Sequence, residues 1–107
     1  MITNKILLIG TVGDYPIINE IDKKEARLLL ATKDSYRNEL GEKVKETMWH
    51  KVFAWGENAN LIAKRVTKGT EIAIEGKLVN INRTDSKGKT RASTEVEIKD
   101  ILILGQK

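Results

Sequence analysis

The segment Glu46-Thr47-Met48-Trp49-His50-Lys51-Val52-Phe53-Ala54-Trp55-Gly56 decides the fold. Three of the chain's five aromatic residues lie in it at alternating positions, with a lysine between them: Trp49, Lys51, Phe53 and Trp55. Successive side chains of a β-strand point to opposite faces. A strand here therefore presents rings and a cation on one face, and His50, Val52 and Ala54 on the other. Its aromatic and β-branched content suits a pleated surface. Large aromatics most often fill a core, but Lys51 shares their face and would be costly to bury unpaired. Val52 and Ala54, opposite, have the right size for the inside of a small barrel. Trp49, Phe53 and Trp55 are therefore expected to be exposed. Rings interleaved with positive charge are what stacking nucleobases while holding phosphates requires.

Upstream of this strand, Lys5 to Val12 is a short apolar run, read as a strand buried on both faces or at an interface. Gly13-Asp14-Tyr15-Pro16 reads as a turn. Ala26 to Thr32 is read as a second strand, and the polar stretch Lys33 to Lys45, with Asn38 and Gly41, as a loop or an open hairpin tip. Downstream the period changes: Ala59, Ile62, Ala63 and Val66 recur at helical spacing, with Lys64 and Arg65 in the last turn and Gly69 as a stop. Thr70 to Val79 alternates again, with Ile72, Ile74 and Leu78 on one face and Gly76 at a bulge or bend. Asn80 to Ala92 reads as a long hairpin tip around Ser86-Lys87-Gly88. Ser93 to Leu104 is the last strand, with Val96, Ile98, Ile101 and Ile103 inward.

Three strands, one short helix and two strands make an all-β chain. The order matches a five-stranded closed barrel with one helix between strands three and four, the OB-fold. Closure removes exposed sheet edges. At 107 residues, 1–107 is expected to form a single such domain. No repeat or low-complexity linker interrupts it.

Composition narrows the chemistry. Cysteine is absent and His50 is the one histidine, which excludes thiolate chemistry and His-rich metal sites; no metal or cofactor is expected. Glu71, Glu75 and Asp85 come with no nucleophile, so an enzyme is not expected. Gly10-Thr11-Val12-Gly13 is no phosphate loop, because Asp14-Tyr15-Pro16 cannot open a helix behind it. No run approaches the roughly 18 apolar residues of a membrane span, and Gly10 cuts short the N-terminal apolar run that a secretory signal would need. A soluble, cytoplasmic, nucleoid-associated protein is expected. The net charge is +4 and the sequence pI about 9.4. Lys43, Lys45, Lys51, Arg83, Lys87, Lys89 and Arg91 fall in or beside two polar loop regions, an electrostatic footprint for nucleic acid.

Asn4-Lys5-Ile6-Leu7-Leu8-Ile9-Gly10, Leu30-Ala31-Thr32 and Thr47-Met48-Trp49-His50-Lys51-Val52 resemble the bacterial single-stranded DNA-binding proteins. So do Lys68-Gly69-Thr70, Ile74-Glu75-Gly76-Lys77-Leu78, Thr94-Glu95-Val96 and Leu104-Gly105, in the same order across essentially the whole chain. The resemblance implies sequence-independent binding and protection of single-stranded DNA in replication, repair and recombination. It places bases on Tyr36, Trp49 and Trp55, with Phe53 an extra ring on that face. Phosphates would lie on Lys51 and Lys68, which match basic positions of the family; Lys77 and, from the charge of the basic hairpin, Lys87 and Arg91 are further nucleic-acid-binding candidates. Arg83 stands where well-known members carry a fourth stacking tryptophan, and its guanidinium can stack on a base or contact phosphate. The resemblance also implies self-association, as a homotetramer built from two dimers or as a dimer. Asn4, Ile6, Leu8 and His50 are assigned to that interface. Family members usually continue into a flexible linker and an acidic tip that recruits other proteins. The sequence stops at Gln106-Lys107, as a short form without that tail or as a piece of a longer protein, so tail-mediated partners are not expected from these residues. A primosomal accessory protein and an RNA-binding OB module are the alternatives within the binding class.

Overall fold

The computed structural model describes residues 3–21 and 24–106; the expected chain end at Lys107 lies outside them. The elements are β1 (Ile6–Val12), β2 (Ile17–Asn19), β3 (Glu25–Arg37), β4 (Lys43–Trp55), α1 (Gly56–Arg65), β5 (Thr70–Thr84) and β6 (Thr90–Gln106). The sheet runs β1-β5-β6-β4-β3-β2. Pairing of Thr11 with Ala31 and Val12 with Leu30 brings β1 back onto β3 and closes β1, β5, β6, β4 and β3 into the expected five-stranded OB barrel. Gly10 sits where β1 meets β3, and a Cβ there would run into the Ala31 carbonyl. The helix falls between the third and fourth barrel strands as expected, which are β4 and β5 once β2 is counted.

Alternation explains which side chains fill the barrel. Leu28, Leu30, Val52, Ala54, Ile72, Ile74, Val96 and Ile98 are buried, and Ala59 and Ile62 of α1 close one end. Ile101 and Ile103 pack against this core from the last strand, as expected. Gly76 does mark an irregularity: the β5–β6 register shifts between Glu75 and Gly76, and a Cβ there would meet the Glu97 backbone. Beyond that shift Leu78 stays on the face of Ile72 and Ile74, opposite buried Val96, but it lies where the barrel opens and is exposed. The extra residue is Lys99 on β6, so it is the β6 side-chain period that is reset, from Val96 and Ile98 inward to Ile101 and Ile103 inward.

Three sequence readings change. β1 is not buried on both faces: Ile6 and Leu8 pack on the core, while Leu7 and Ile9 point outward and are exposed. The turn at Gly13–Pro16 is followed by β2, a short strand absent from the sequence reading, which pairs Ile17 with Arg27 and Asn19 with Glu25. The polar stretch after Thr32 is an ordered ribbon, since β3 and β4 stay in register from Glu25–Trp55 to Arg37–Lys43. Its tip is built by Asn38, whose Oδ1 accepts from the Leu40 and Glu42 backbone N–H groups. Asp85 does the same for Lys87 and Lys89 at the β5–β6 tip, where Gly88 takes φ of 79°. β4 and β6 pair at Val52–Val96 and Phe53–Glu97, running parallel. Beyond that contact they part, and two arms project from one barrel.

Candidate nucleic-acid interface

The parting of β4 and β6 makes a cleft. Trp49, His50 and Lys51 line one wall and Ala92 to Val96 the other, with Leu78 between. Trp49 is 59% exposed and Lys51 is exposed on the outer face of β4. Trp49 is seated by a residue the sequence reading treated only as part of a turn. A Cβ on Gly13 would land on the far edge of the Trp49 indole, so the ring lies against the backbone at the β1–β2 turn. A glycine ahead of a turn is the only sequence signal for this seat, and it does not name the ring. Lys68 belongs to the same neighbourhood: it is exposed, and the N–H of Gly69 beside it donates to the Val12 carbonyl at 2.8 Å.

Trp55 ends β4 and caps α1 with extended backbone, and it is 39% exposed. Phe53 is a correction. It lies on the outer face, as alternation requires, yet it is 2% exposed. Trp55 meets it edge-on with ring centroids 5.8 Å apart. The Arg83 guanidinium covers it at 5.2 Å from the ring centre. Phe53 is therefore packing under the surface and not an open platform for a base.

Arg83 is the second correction. Its Nε and Nη2 donate to the two oxygens of Glu95 at 3.1 and 2.8 Å, and its Nη1 donates to both oxygens of Glu25 at 3.0 Å. Both carboxylates are buried. All the donor nitrogens of the guanidinium are thus engaged, and one face lies on Phe53, so Arg83 is not presented to a base. Burial pushes the Glu95 carboxyl up, but hydrogen bonds from Arg83 and Ser93, with the charges of Arg83 and Arg27, outweigh it and hold the group below the usual carboxylate range. The hydrogen bond to Glu95 raises Arg83 in turn, against its own burial. Glu25, Arg83 and Glu95 come from three strands, so no local spacing in the sequence announces the cluster.

The remaining candidates are distributed. Tyr36 is exposed on the β3–β4 arm, opposite Val44; by register it shares that ribbon face with Met48 and His50 rather than with Trp49. Lys87 sits at the tip of the other arm, and Arg91 is exposed opposite Arg83. Lys77 is exposed and opposes Glu97, which pairs with Lys99 at 2.7 Å. The interface candidates also divide. Ile6 and Leu8 face inward, so the outward positions of β1 are Leu7 and Ile9 instead. Asn4 extends the β1–β5 ladder through its amide, donating to the Leu78 carbonyl at 3.0 Å and accepting from the Leu78 N–H at 2.8 Å. His50 is half-buried, its Nε2 2.8 Å from the Thr32 hydroxyl. Among the described residues no group of three or more His, Cys, Asp or Glu side chains could hold a metal, and no helix is long and apolar enough to cross a membrane.

Residues 3–104 match the model of the Single-strand binding protein family. The chain is 34% identical over 107 residues to the "Single-stranded DNA-binding protein 1" of Xylella fastidiosa, covering 97% of this chain and 79% of that one. It is 32% identical to the protein of the same name from Chlorobaculum tepidum, again over 97% of this chain but 66% of the relative. Among solved structures, a Plasmodium falciparum SSB in complex with ssDNA superposes with a TM-score of 0.82 at 28% identity, covering 97% of both chains. A deletion mutant of the single-stranded DNA binding protein from Thermus aquaticus superposes at 0.81 and 25% identity, covering 95% of this chain and 50% of that one.

Proposed function

Since the chain belongs to the Single-strand binding protein family, we propose that it binds and protects single-stranded DNA without sequence preference, as a non-catalytic coat in replication, repair and recombination. The observation that carries this reading is the exposed Trp49 and Lys51 pair lining the cleft between the two arms. Every base has a π-face, so a ring stacks on any of them, each contact being worth about 1–3 kcal/mol. Trp49 and Trp55 take bases, and Lys51 with Lys68 holds the backbone between them. Tyr36 on one arm, Lys87 and Arg91 on the other, and Lys77 on the barrel flank extend the track. Phe53 and Arg83 are beneath it and support Trp55.

The chain acts as a homo-oligomer, a dimer or a pair of dimers, in the cytoplasm. Two features support self-association. β1 pairs with β3 only through Thr11 and Val12, so Ile6 to Gly10 have one edge without a strand partner among the described residues. On the outer face, Ile9, Ala73 and Leu102 form one cross-strand row flanked by Leu7 and Leu104, and the four large side chains are exposed. Half-buried His50 belongs to the same assembly.

Tryptophan fluorescence titrated with oligo-dT at two salt concentrations tests the reading. Bases stacked on Trp49 and Trp55 quench the emission, and added salt weakens binding by about 0.7 logarithmic units per tenfold salt for each phosphate contact. Emission unchanged at saturating DNA would refute it.

A further inference from the structure

Trp55 is the last residue of β4, where the strand gives way to α1, and it is part-exposed. Its neighbours on that face are buried: Phe53, two residues back on the same strand, and Glu25, its register partner on β3. One guanidinium holds both. Arg83 lies over the Phe53 ring, 5.2 Å from its centre, and donates through Nη1 to both oxygens of Glu25 at 3.0 Å. Its Nε and Nη2 are fixed in turn by Glu95 on β6, at 3.1 and 2.8 Å. A planar fork gripped by carboxylates from two strands is set in position and in tilt. The Phe53 ring beneath it is set with it, and Trp55 meets that ring at 83° with centroids 5.8 Å apart. Contact therefore runs from the carboxylates to Arg83, to Phe53 and to Trp55, and Glu25 and Trp55 stand opposite each other across the ladder.

Stability alone is a poor reason for this arrangement. A buried ion pair is often no better for a fold than apolar side chains of similar volume, and here two buried carboxylates share one cation. What the cluster supplies, and an apolar plug does not, is direction, because hydrogen-bond donors and ring faces and edges meet in preferred orientations. A stacking ring profits from direction. A side chain already held in its bound orientation does not lose that freedom when the ligand arrives, and affinity rises accordingly.

We propose that Arg83, clamped by Glu25 and Glu95, is a positioning residue for single-strand binding: through Phe53 and Glu25 it holds the Trp55 indole in the orientation that accepts a base. The proposal rests on the single-strand reading above and adds to it a part for three charged residues that touch no nucleotide.

The test uses the full chain, with Arg83→Ala and Phe53→Leu made singly and each combined with Trp55→Ala. Affinity is read from the anisotropy of an end-labelled oligo-dT, well below the melting temperature of each variant. Releasing the ring lowers affinity about two- to tenfold in Arg83→Ala, the cost of ordering one side chain on binding, and leaves the salt slope unchanged. Phe53→Leu, which keeps the ion cluster, gives a loss of the same size, so the proposal is decided even where Arg83→Ala does not fold. With Trp55→Ala present neither substitution costs anything further, since changes that act on one ring are not additive. The chain has two tryptophans, so a Trp49→Phe background reports on Trp55 alone, and there both variants lower the anisotropy of its emission. Unchanged affinity in Phe53→Leu, an equal loss with and without Trp55, an unaltered Trp55 anisotropy, or a salt slope flattened by about 0.7 in Arg83→Ala, the mark of a phosphate contact, each overturns the positioning role and leaves the single-strand reading in place. Failure of the unaltered protein to bind oligo-dT overturns that reading itself.

Discussion

Replacing Arg83 by leucine separates a structural latch from a DNA contact. The substitution keeps aliphatic cover over Phe53 but strips the four hydrogen bonds to Glu25 and Glu95, which are only 6% and 5% exposed. Removing one partner of a buried ion pair costs about 3–5 kcal/mol, because the remaining charge stays buried without compensation. The Arg83 side chain is 22% exposed, so water reaches the site and the lower figure, about 3 kcal/mol, applies. For a barrel of this size that corresponds to a fall in Tm of roughly 12 °C, at about 4 °C per kcal/mol. The pH dependence has a definite sign. Glu95 is depressed in the folded protein, so its contribution to stability is complete above the ordinary glutamate value of about 4.3 and is lost as pH falls through the depressed value. In the variant, burial of Glu95 is opposed only by the Ser93 hydrogen bond and the Arg27 charge, and its carboxyl rises. The penalty is then greatest near neutrality and shrinks as acid protonates the group. Thermal melts followed by circular dichroism at fixed protein concentration, at neutral pH and near pH 4, read both effects. Adding Glu95→Gln to the variant should restore part of the loss. A neutral-pH Tm within a few degrees of the unaltered protein, or a gap that does not narrow in acid, would refute the latch. Intact stability with a large loss of DNA affinity would return Arg83 to the binding surface.

Gly13→Ala is compatible with the backbone, since Gly13 does not hold positive φ, but the new methyl displaces the Trp49 indole. Oligo-dT affinity should fall by up to the roughly 1–3 kcal/mol of one stacked base with little change in Tm; undiminished affinity would show that the seat is not needed. Trp49→Ala should weaken binding by the same order and leave the melt in place, given the ring's exposure, and unfolding instead would assign it to the core. Leu102→Glu puts a charge into the outward Ile9–Ala73–Leu102 row and should lower the mass measured by light scattering while circular dichroism is preserved; an unaltered protein that is already monomeric would dismiss this face as an interface. Gly76→Ala should destabilise the barrel by about 1–3 kcal/mol, the range for overpacking, because its methyl meets the Glu97 backbone rather than a movable side chain.

Periodicity carried the barrel because it is a local property. Val52 and Ala54 inside, Trp49 and Lys51 outside, and Ala59 and Ile62 under the helix all follow from counting by two or by 3.6. The β2 strand escaped because three residues, Ile17 to Asn19, are too few to show a period, and all three are exposed. The reading of Gly76 as a bulge or bend in its strand fits the slip, but the extra residue, Lys99, lies on β6 and shifts the inward set there from Val96 and Ile98 to Ile101 and Ile103, which no window of β5 contains.

Phe53 marks the point where counting by two stops being sufficient. Alternation placed it on the same face as Trp49 and Lys51, and that face is where it lies. Exposure, however, depends on what neighbouring strands lay over a face, and here Arg83 arrives from β5, held by Glu25 of β3 and Glu95 of β6. A family template reads Arg83 as a substitute for a stacking ring at the same position. The charges argue otherwise: an arginine between two buried carboxylates would leave both uncompensated if it swung out to meet a base, at about the 3–5 kcal/mol of a broken buried pair. One stacked base returns about 1–3 kcal/mol. The balance favours the latch, so on this barrel the platform at the β6 side is closed and the open surface lies towards Trp49, Lys51 and the β1–β2 turn.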